Sequence, residues 1–202
     1  MESFGKNDSS RNKQQSNTKR NPSKEQLINQ AINFHLEGNI QEASKYYQYC
    51  LDQDFNDQRV FSNYGAILKN HGKLKEAELS QRKAIEIKPD YADAHLNLGN
   101  ILKDLGKLKE AELSQRQAIK LKPDYAEAHS NLGNILSTLG EIDEAVLNYE
   151  RSLSIKPNMP GALVGLGKSL LIKGQYVKGL HLIKKGEGTI SFDLERGVSI
   201  TQ

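Results

Sequence analysis

The chain has 202 residues, 37% of them hydrophobic and 26% charged, with no Trp, one Cys and a formal net charge of +3. That is polar for a compact globule and suits a thin array in which most residues touch solvent. The charge is too small to imply a nucleic-acid partner by itself. The single Cys50 excludes an intrachain disulfide framework and fits a reducing compartment. No run approaches about 18 apolar residues, so no membrane span is expected.

Residues 1–23 are rich in Asn, Ser, Gln, Lys and Arg, with Phe4 the only large apolar side chain after Met1. Such a segment buries too little surface to offset its chain entropy, so a disordered tail is predicted. Lys6, Arg11, Lys13, Lys19 and Arg20, with Lys24 just beyond, outnumber Glu2 and Asp8, which makes it basic. A solubilising role is expected, with contact to an acidic partner or nucleic acid as the alternative. No apolar core follows the charges as in a secretory signal, and a cytoplasmic location is expected.

From residue 24 a 34-residue register runs without a gap: 24–57, 58–91, 92–125, 126–159 and an incomplete 160–186. Residues 72–95 and 106–129 are near-copies that differ at only four paired positions, 83/117, 86/120, 87/121 and 93/127. A fixed period of this size marks stacked repeats. Gly38, Gly72, Gly106, Gly140 and Gly174 recur between two helical patterns, where a tight turn favours a residue tolerant of positive φ. First helices carry apolar residues at helical spacing, such as Leu98, Ile101, Leu102 and Leu105. Second helices carry Leu108, Ala111, Ala118, Ile119 and Leu121, and Pro89, Pro123 and Pro157 end them. Asp90 with Asp93, and Asp124 with Glu127, read as capping boxes for the next helices.

Two columns of small residues mark where the helices of a repeat cross. One is Ala31, Gly65, Gly99, Gly133 and Gly167; the other is Ala43, Ala77, Ala111, Ala145 and Gly179. Repeat one has Phe55 where the others have Pro but keeps Gly38, Ala43 and Tyr47 in register. After Gly186 the pattern changes. Ile190, Phe192 and Leu194, then Val198 and Ile200, alternate with polar residues, predicting two short strands over 187–202, as a hairpin or a cap for the open end of the array.

The spacing of His95, Leu98, Gly99, Leu102, Ala111 and Pro123 resembles the tetratricopeptide repeat (TPR), with His95 in place of the usual Trp and Gln115 in place of Phe. The resemblance implies an all-α fold, a right-handed solenoid of about five helix-turn-helix repeats, with the first helices lining a concave groove. The near-copies also resemble the TPR arrays common in cyanobacterial proteins.

Catalysis finds little support. His95 and His129 are one repeat apart, and helices packed about 10 Å apart are poorly placed to share a zinc ion. Both are read as fillers between helices, and Cys50 as a small buried residue. No phosphate loop, Cys-x-x-Cys, His-Glu-x-x-His or nucleophile elbow is present, so no catalytic residue, metal or cofactor is expected. Glu78–Arg82 and Glu112–Arg116 are i,i+4 pairs on a charged solvent face.

The candidate site is a column of amides. Asn29, Asn63, Asn97 and Asn131 recur every 34 residues, and Asn100 and Asn134 lie one helical turn further on. Asn is a mediocre helix former, so a ladder of it on a helix face wants a reason. The column resembles the asparagine ladder of the TPR superhelix in O-linked N-acetylglucosamine transferase, which implies a grip on an extended peptide backbone. An amide supplies both donor and acceptor. The basic groove residues of a carboxylate clamp would fall at positions such as Ile28, Asp93 and Asn97, none of them Lys or Arg. The expected function is a non-catalytic protein-binding scaffold with a protein or peptide partner. The alternative is an accessory or truncated relative of a TPR-fused glycosyltransferase, sulfotransferase or oxygenase, since the roughly 16 residues after the break cannot build a catalytic core.

Overall fold

The computed structural model describes residues 22–187, 190–193 and 197–200. The predicted disordered tail falls almost wholly outside them. Among the described residues ten α-helices follow in pairs: α1 (Lys24–Leu36) with α2 (Ile40–Asp52), α3 (Gln58–Asn70) with α4 (Leu74–Ile87), α5 (Ala92–Asp104) with α6 (Leu108–Leu121), α7 (Ala126–Leu139) with α8 (Ile142–Ile155), and α9 (Pro160–Ile172) with α10 (Tyr176–Glu187). The five pairs are the five predicted repeats. Each turn glycine sits at positive φ, between 75° and 84°, where a Cβ would be strained. Beyond α10, β1 (Ile190–Asp193) and β2 (Gly197–Ile200) pair antiparallel, with Ile190 opposite Ile200 and Phe192 opposite Val198.

Helix starts differ from the sequence expectation. Asp90 and Asp124 do not cap α5 and α7: the N-cap positions are Tyr91 and Tyr125, with no side-chain cap bond. The acidic groups join repeats instead. Asp93 accepts from the Tyr125 hydroxyl at 2.7 Å, Asp124 accepts from Arg151, and Glu127 pairs with Lys156. The true capping box is at α1. Ser23 Oγ accepts from the Gln26 N–H at 3.2 Å, and Gln26 Oε1 accepts from the Ser23 N–H at 2.8 Å.

Each second helix packs on its own first helix and on the next repeat's first helix. Consecutive first helices also touch, from α1–α3 through α7–α9, whereas consecutive second helices make no comparable contact among the described residues. A layer whose neighbours touch is more closely spaced than one whose neighbours do not. The array therefore curves toward the first helices, and their free faces line its inner side.

The small columns do what their spacing predicts. Ala31, Ala43, Ala77, Ala111 and Ala145 are fully buried. A Cβ on Gly99 would lie 2.5 Å from Gln115 Nε2, and one on Gly133 would lie 2.8 Å from the Tyr149 ring. In repeat five the two columns meet directly: a Cβ on Gly167 would lie 2.7 Å from the Gly179 carbonyl. Cys50 is buried in the cluster around Ile28, Ala31 and Tyr47, and burial pushes its thiol above the usual range, as fits a packing residue.

The second helices carry a belt of ion pairs. Glu78 accepts from Arg82 on its own helix and from Lys107 of the next repeat; Arg82 also reaches Glu110. One repeat on, Glu112 pairs with Arg116, which also reaches Glu144, and Lys109 bridges Glu112 and Glu141. Charges of one sign are matched within and between repeats, so this outer face has little local net charge.

Candidate functional site

All four members of the Asn column lie on first helices, in the layer toward which the array curves. They are not equivalent. Asn29 is exposed on α1, where its amide, after Arg59, is among the groups that keep the Glu25 carboxyl below its ordinary range. Asn63 is half-buried; the Tyr47 hydroxyl of the neighbouring second helix is buried without a hydrogen-bond partner, and burial drives its pKa up to about 12. Asn97 is half-buried and donates from Nδ2 to Ser62 Oγ at 3.3 Å. Asn131 is half-buried, and among the described residues its side chain has no hydrogen-bond partner. Asn97 Oδ1 and both ends of the Asn131 amide thus have no hydrogen-bond partner among the described residues.

Asn100 and Asn134 play a different part. Asn100 Oδ1 accepts from Gln115 Nε2 at 3.1 Å, and Asn134 Oδ1 accepts from the Tyr149 hydroxyl at 2.8 Å. Their oxygens tie the first helix to the second within one repeat. Sequence reasoning missed this because Gln115 and Tyr149 stand 15 residues away on another helix.

Gln81 and Gln115 are fully buried, each donating to a first-helix carbonyl, Ser62 O at 2.7 Å and Leu96 O at 3.1 Å. They are part of the seam and not a bland outer surface, since Gln115 also holds Asn100. Ile28 is likewise fully buried in the first-repeat core. It could not carry a groove-facing cation even if substituted.

The two candidate histidines are packing groups. His95 Nε2 sits 2.9 Å from the Pro89 carbonyl and His129 Nε2 3.0 Å from the Pro123 carbonyl, fastening each first helix to the preceding loop. His129 Nδ1 also lies 3.3 Å from Asn148 Oδ1. With one nitrogen of each ring on a backbone oxygen, neither is free to act as a ligand on that side. Among the described residues no three His, Cys, Asp or Glu side chains come together as a metal site would require.

Around the ladder, charges are already partnered. Arg59 makes a two-bond fork to Glu25, at 2.9 and 2.8 Å, and also bonds Asp57, which holds all three groups ionised. Lys69 pairs with Asp104 across repeats at 3.0 Å. The inner face thus offers amides and hydroxyls rather than a concentration of one charge. A cleft of about 710 Å³ lies elsewhere, on the α2–α3 seam among Gln48, Tyr49, Asp52 and Tyr64. Its two central polar groups are spent on each other, Tyr64 Oη donating to Gln48 Oε1 at 2.8 Å.

Comparison with known proteins agrees with this geometry. The family model for the TPR repeat matches residues 65–106 and 99–140, and that for the tetratricopeptide repeat matches residues 126–159. No curated protein matches the chain. Among solved structures, MamA is 26% identical over 77% of this chain and 91% of its own, with a TM-score of 0.66. PilF of Pseudomonas aeruginosa is 20% identical over 82% of this chain and 77% of its own, with a TM-score of 0.72. YrrB, described as a TPR protein with an unusual peptide-binding site, is 22% identical over 81% of this chain and 84% of its own, with a TM-score of 0.65. The last two similarities bear on the fold alone.

Proposed function

The chain is a tetratricopeptide-repeat protein, and we propose that it is a non-catalytic interaction scaffold that holds an extended peptide or protein segment along its inner face. The observation that carries this reading is the Asn ladder. Amides recur once in each of repeats one to four on the layer that lines the inside, with Gly165 in their place in repeat five, and at Asn97 and Asn131 they keep unused donors or acceptors. An extended chain presents a backbone N–H and C=O at each residue, about 3.3 Å apart. Three residues therefore span about the 10 Å from one helix to its neighbour. One amide per repeat can pair with every third peptide unit, whatever the side chains. That YrrB is described with a peptide-binding site supports a peptide as the class of partner. The mixed, already paired charges beside the ladder favour a backbone grip over recognition of a strongly charged motif. The scaffold reading also places no chemistry on the chain, in keeping with the histidines' structural bonds.

The test is affinity. A partner is first captured from lysate on the immobilised chain. Then Asn63→Ala, Asn97→Ala and Asn131→Ala are combined and titrated calorimetrically against it. Each lost bond is worth about 0.5–1.5 kcal/mol, so the triple variant should bind roughly 10- to 1000-fold more weakly. Its melting temperature should hold, since Ala is the better helix former. Lys120→Ala with Glu150→Ala, both exposed on second helices, should bind as the unaltered chain does. Full affinity in the triple variant sinks the ladder.

A further inference from the structure

The two ends of the array are opposite in charge, and each exposes apolar side chains at positions that are polar or covered in the interior repeats. Repeat one holds Lys24 and Lys45 against Glu25, Glu37, Glu42, Asp52, Asp54 and Asp57, a formal charge of −4. Residues 160–186 hold Lys168, Lys173, Lys178, Lys184 and Lys185 and no acidic residue, a formal charge of +5. With helices about 10 Å apart, five repeats separate these ends by roughly 40 Å. Arg59 of repeat two offsets part of the first charge through Glu25 and Asp57, and Asp143 offsets Lys173, but repeat one stays net acidic and repeat five net basic, and with a Debye length of about 8 Å at physiological salt the two ends do not screen each other.

Exposed apolar side chains occur along the whole array, Leu79, Leu113 and Leu147 in the interior included, but each end adds its own. Leu36 is 82% exposed and Ile172 66% exposed, and they occupy one column. In the interior repeats that column is Asn70, Asp104 and Thr138. Val177 is 86% exposed where the interior has Lys75, Lys109 and Asp143. Leu180 stands at the place of Val146, which repeat five buries in the cluster with Leu166 and Leu170; no repeat does the same for Leu180. Tyr176, 65% exposed, completes the patch. At the other end, Tyr49 is exposed where the interior has Lys83, Gln117 and Arg151, and it lies beside Leu27 and Tyr46 in a shallow hollow with Glu42.

We propose that the basic, aliphatic surface of repeat five is a docking site for the acidic, aromatic surface of repeat one on a second copy of this chain. The partner's Tyr46 and Tyr49 rings suit both the aliphatic side chains and the lysines of repeat five, since a ring face attracts an ammonium. The contact is not a simple extension of the stack. Gln30 on α1 replaces the Tyr64, Leu98, Leu132 and Leu166 that fill the interior junctions, and Gln26 and Asn33 flank it, so α1 closes its own end with amides. The interface is head-to-tail, with different surfaces on the two copies, and so grows open-ended instead of stopping at a dimer.

The test is sedimentation velocity on the full chain across a range of concentrations at low and high salt. The size should rise with concentration at low salt, with the dissociation constant weakening more than about 10-fold between about 50 and 500 mM salt. Lys178→Glu, Lys184→Glu and Lys185→Glu together spoil one end. Glu37→Lys, Glu42→Lys and Asp52→Lys together spoil the other. Each triple variant should be monomeric alone. An equimolar mixture should associate, through the intact acidic end of one variant and the intact basic end of the other, and any growth beyond a dimer would run through the two charge-reversed ends, which are again opposite in sign. Circular dichroism and thermal melts establish that both variants fold. Association of either variant at wild-type strength overturns the proposal, as does a mixture of folded variants that stays monomeric. A full chain that is monomeric at low salt, and associates only once residues 1–21 or 188–202 are removed, makes that segment the occupant and also overturns it.

Discussion

Repeats three and four solve the same packing problem with different chemistry. In repeat three the large position of the second helix is Gln115, fully buried against Gly99, with its Nε2 shared between the Leu96 carbonyl and Asn100 and its Oε1 buried without a partner. Repeat two repeats the arrangement with Gln81, whose Oε1 is likewise without a partner. In repeat four the residue is Tyr149, whose ring fills the space under Gly133 and Gly165 and whose hydroxyl finds Asn134. The ring removes more apolar surface from water and leaves no orphaned acceptor, while burial raises its phenol to about 12 and keeps it neutral. Each near-identical repeat thus carries a buried unpartnered amide oxygen, where repeat four has none; Tyr47 Oη in repeat one and Ser169 Oγ in repeat five are the other such buried atoms among the described residues. Stability should be concentrated toward repeat four.

The largest effect expected from this contrast is Tyr149→Ala. Emptying that site should cost about 3–5 kcal/mol, read from chemical denaturation, with the loss spreading into repeats three and five because neighbours couple. A cost as small as that of Gln115→Ala would remove the contrast. Next come the glycines. Gly133→Ala drives a methyl group into a ring that cannot retreat, because Gly165 holds its other side, and should cost about 1–3 kcal/mol. Gly99→Ala meets a flexible amide, and the gain in helix propensity of about 1 kcal/mol offsets most of the clash. Equal melting curves for the two would show that ring and amide yield alike.

Gln115→Leu sharpens the comparison from the other side. It removes the unpartnered acceptor and leaves Asn100, half-buried and open to water, without its donor. The net change should lie within about 1 kcal/mol and tend toward stabilisation. A loss of about 2 kcal/mol or more would mean that the amide bonds outweigh the orphaned oxygen.

The smallest effect concerns pH. The Lys107 hydrogen bond, aided by Arg82, holds Glu78 below the usual carboxylate range despite some desolvation. Desolvation pushes Glu112 up, but Arg116 and Lys109 pull it further down. A carboxyl depressed in the folded state stabilises fully above its unfolded value near 4.5 and loses that contribution as pH falls through the folded value. Each belt carboxylate should contribute about 0.5 kcal/mol. Thermal melts should therefore drop between pH 5 and pH 3, and less steeply in Glu78→Gln with Glu112→Gln. The same slope in both would place the acid sensitivity elsewhere.

Much of the fold was legible in the chain. The 34-residue period put the turns at Gly38, Gly72, Gly106, Gly140 and Gly174, and the structure finds positive φ at each. Small columns spaced by 34 named the close approaches, and Cys50 read correctly as a packing residue. The helix starts were misread because Asp-x-x-Asp and Asp-x-x-Glu satisfy a local pattern. In the fold those carboxylates reach Tyr125, Lys156 and Arg151, about 30 residues away. Ser23-x-x-Gln26 was the readable cap, in plain sight at the start of the register.

The candidate site divides along the same line. Sequence alone determined the period, the turn positions, the buried small columns and the alignment of one Asn per repeat, because each follows from spacing along a single helix or from the steric needs of one residue. Tertiary structure decided the curvature toward the first helices, because that depends on how closely neighbouring repeats approach. It also decided which amide atoms stay unused. Asn100 and Asn134 give their oxygens to Gln115 and Tyr149, Asn97 gives a hydrogen to Ser62, and Asn131 gives nothing. Those bonds join residues 15 to 35 positions apart, and a hydrogen bond made or missed within a few tenths of an ångström is set by where two helices finally rest.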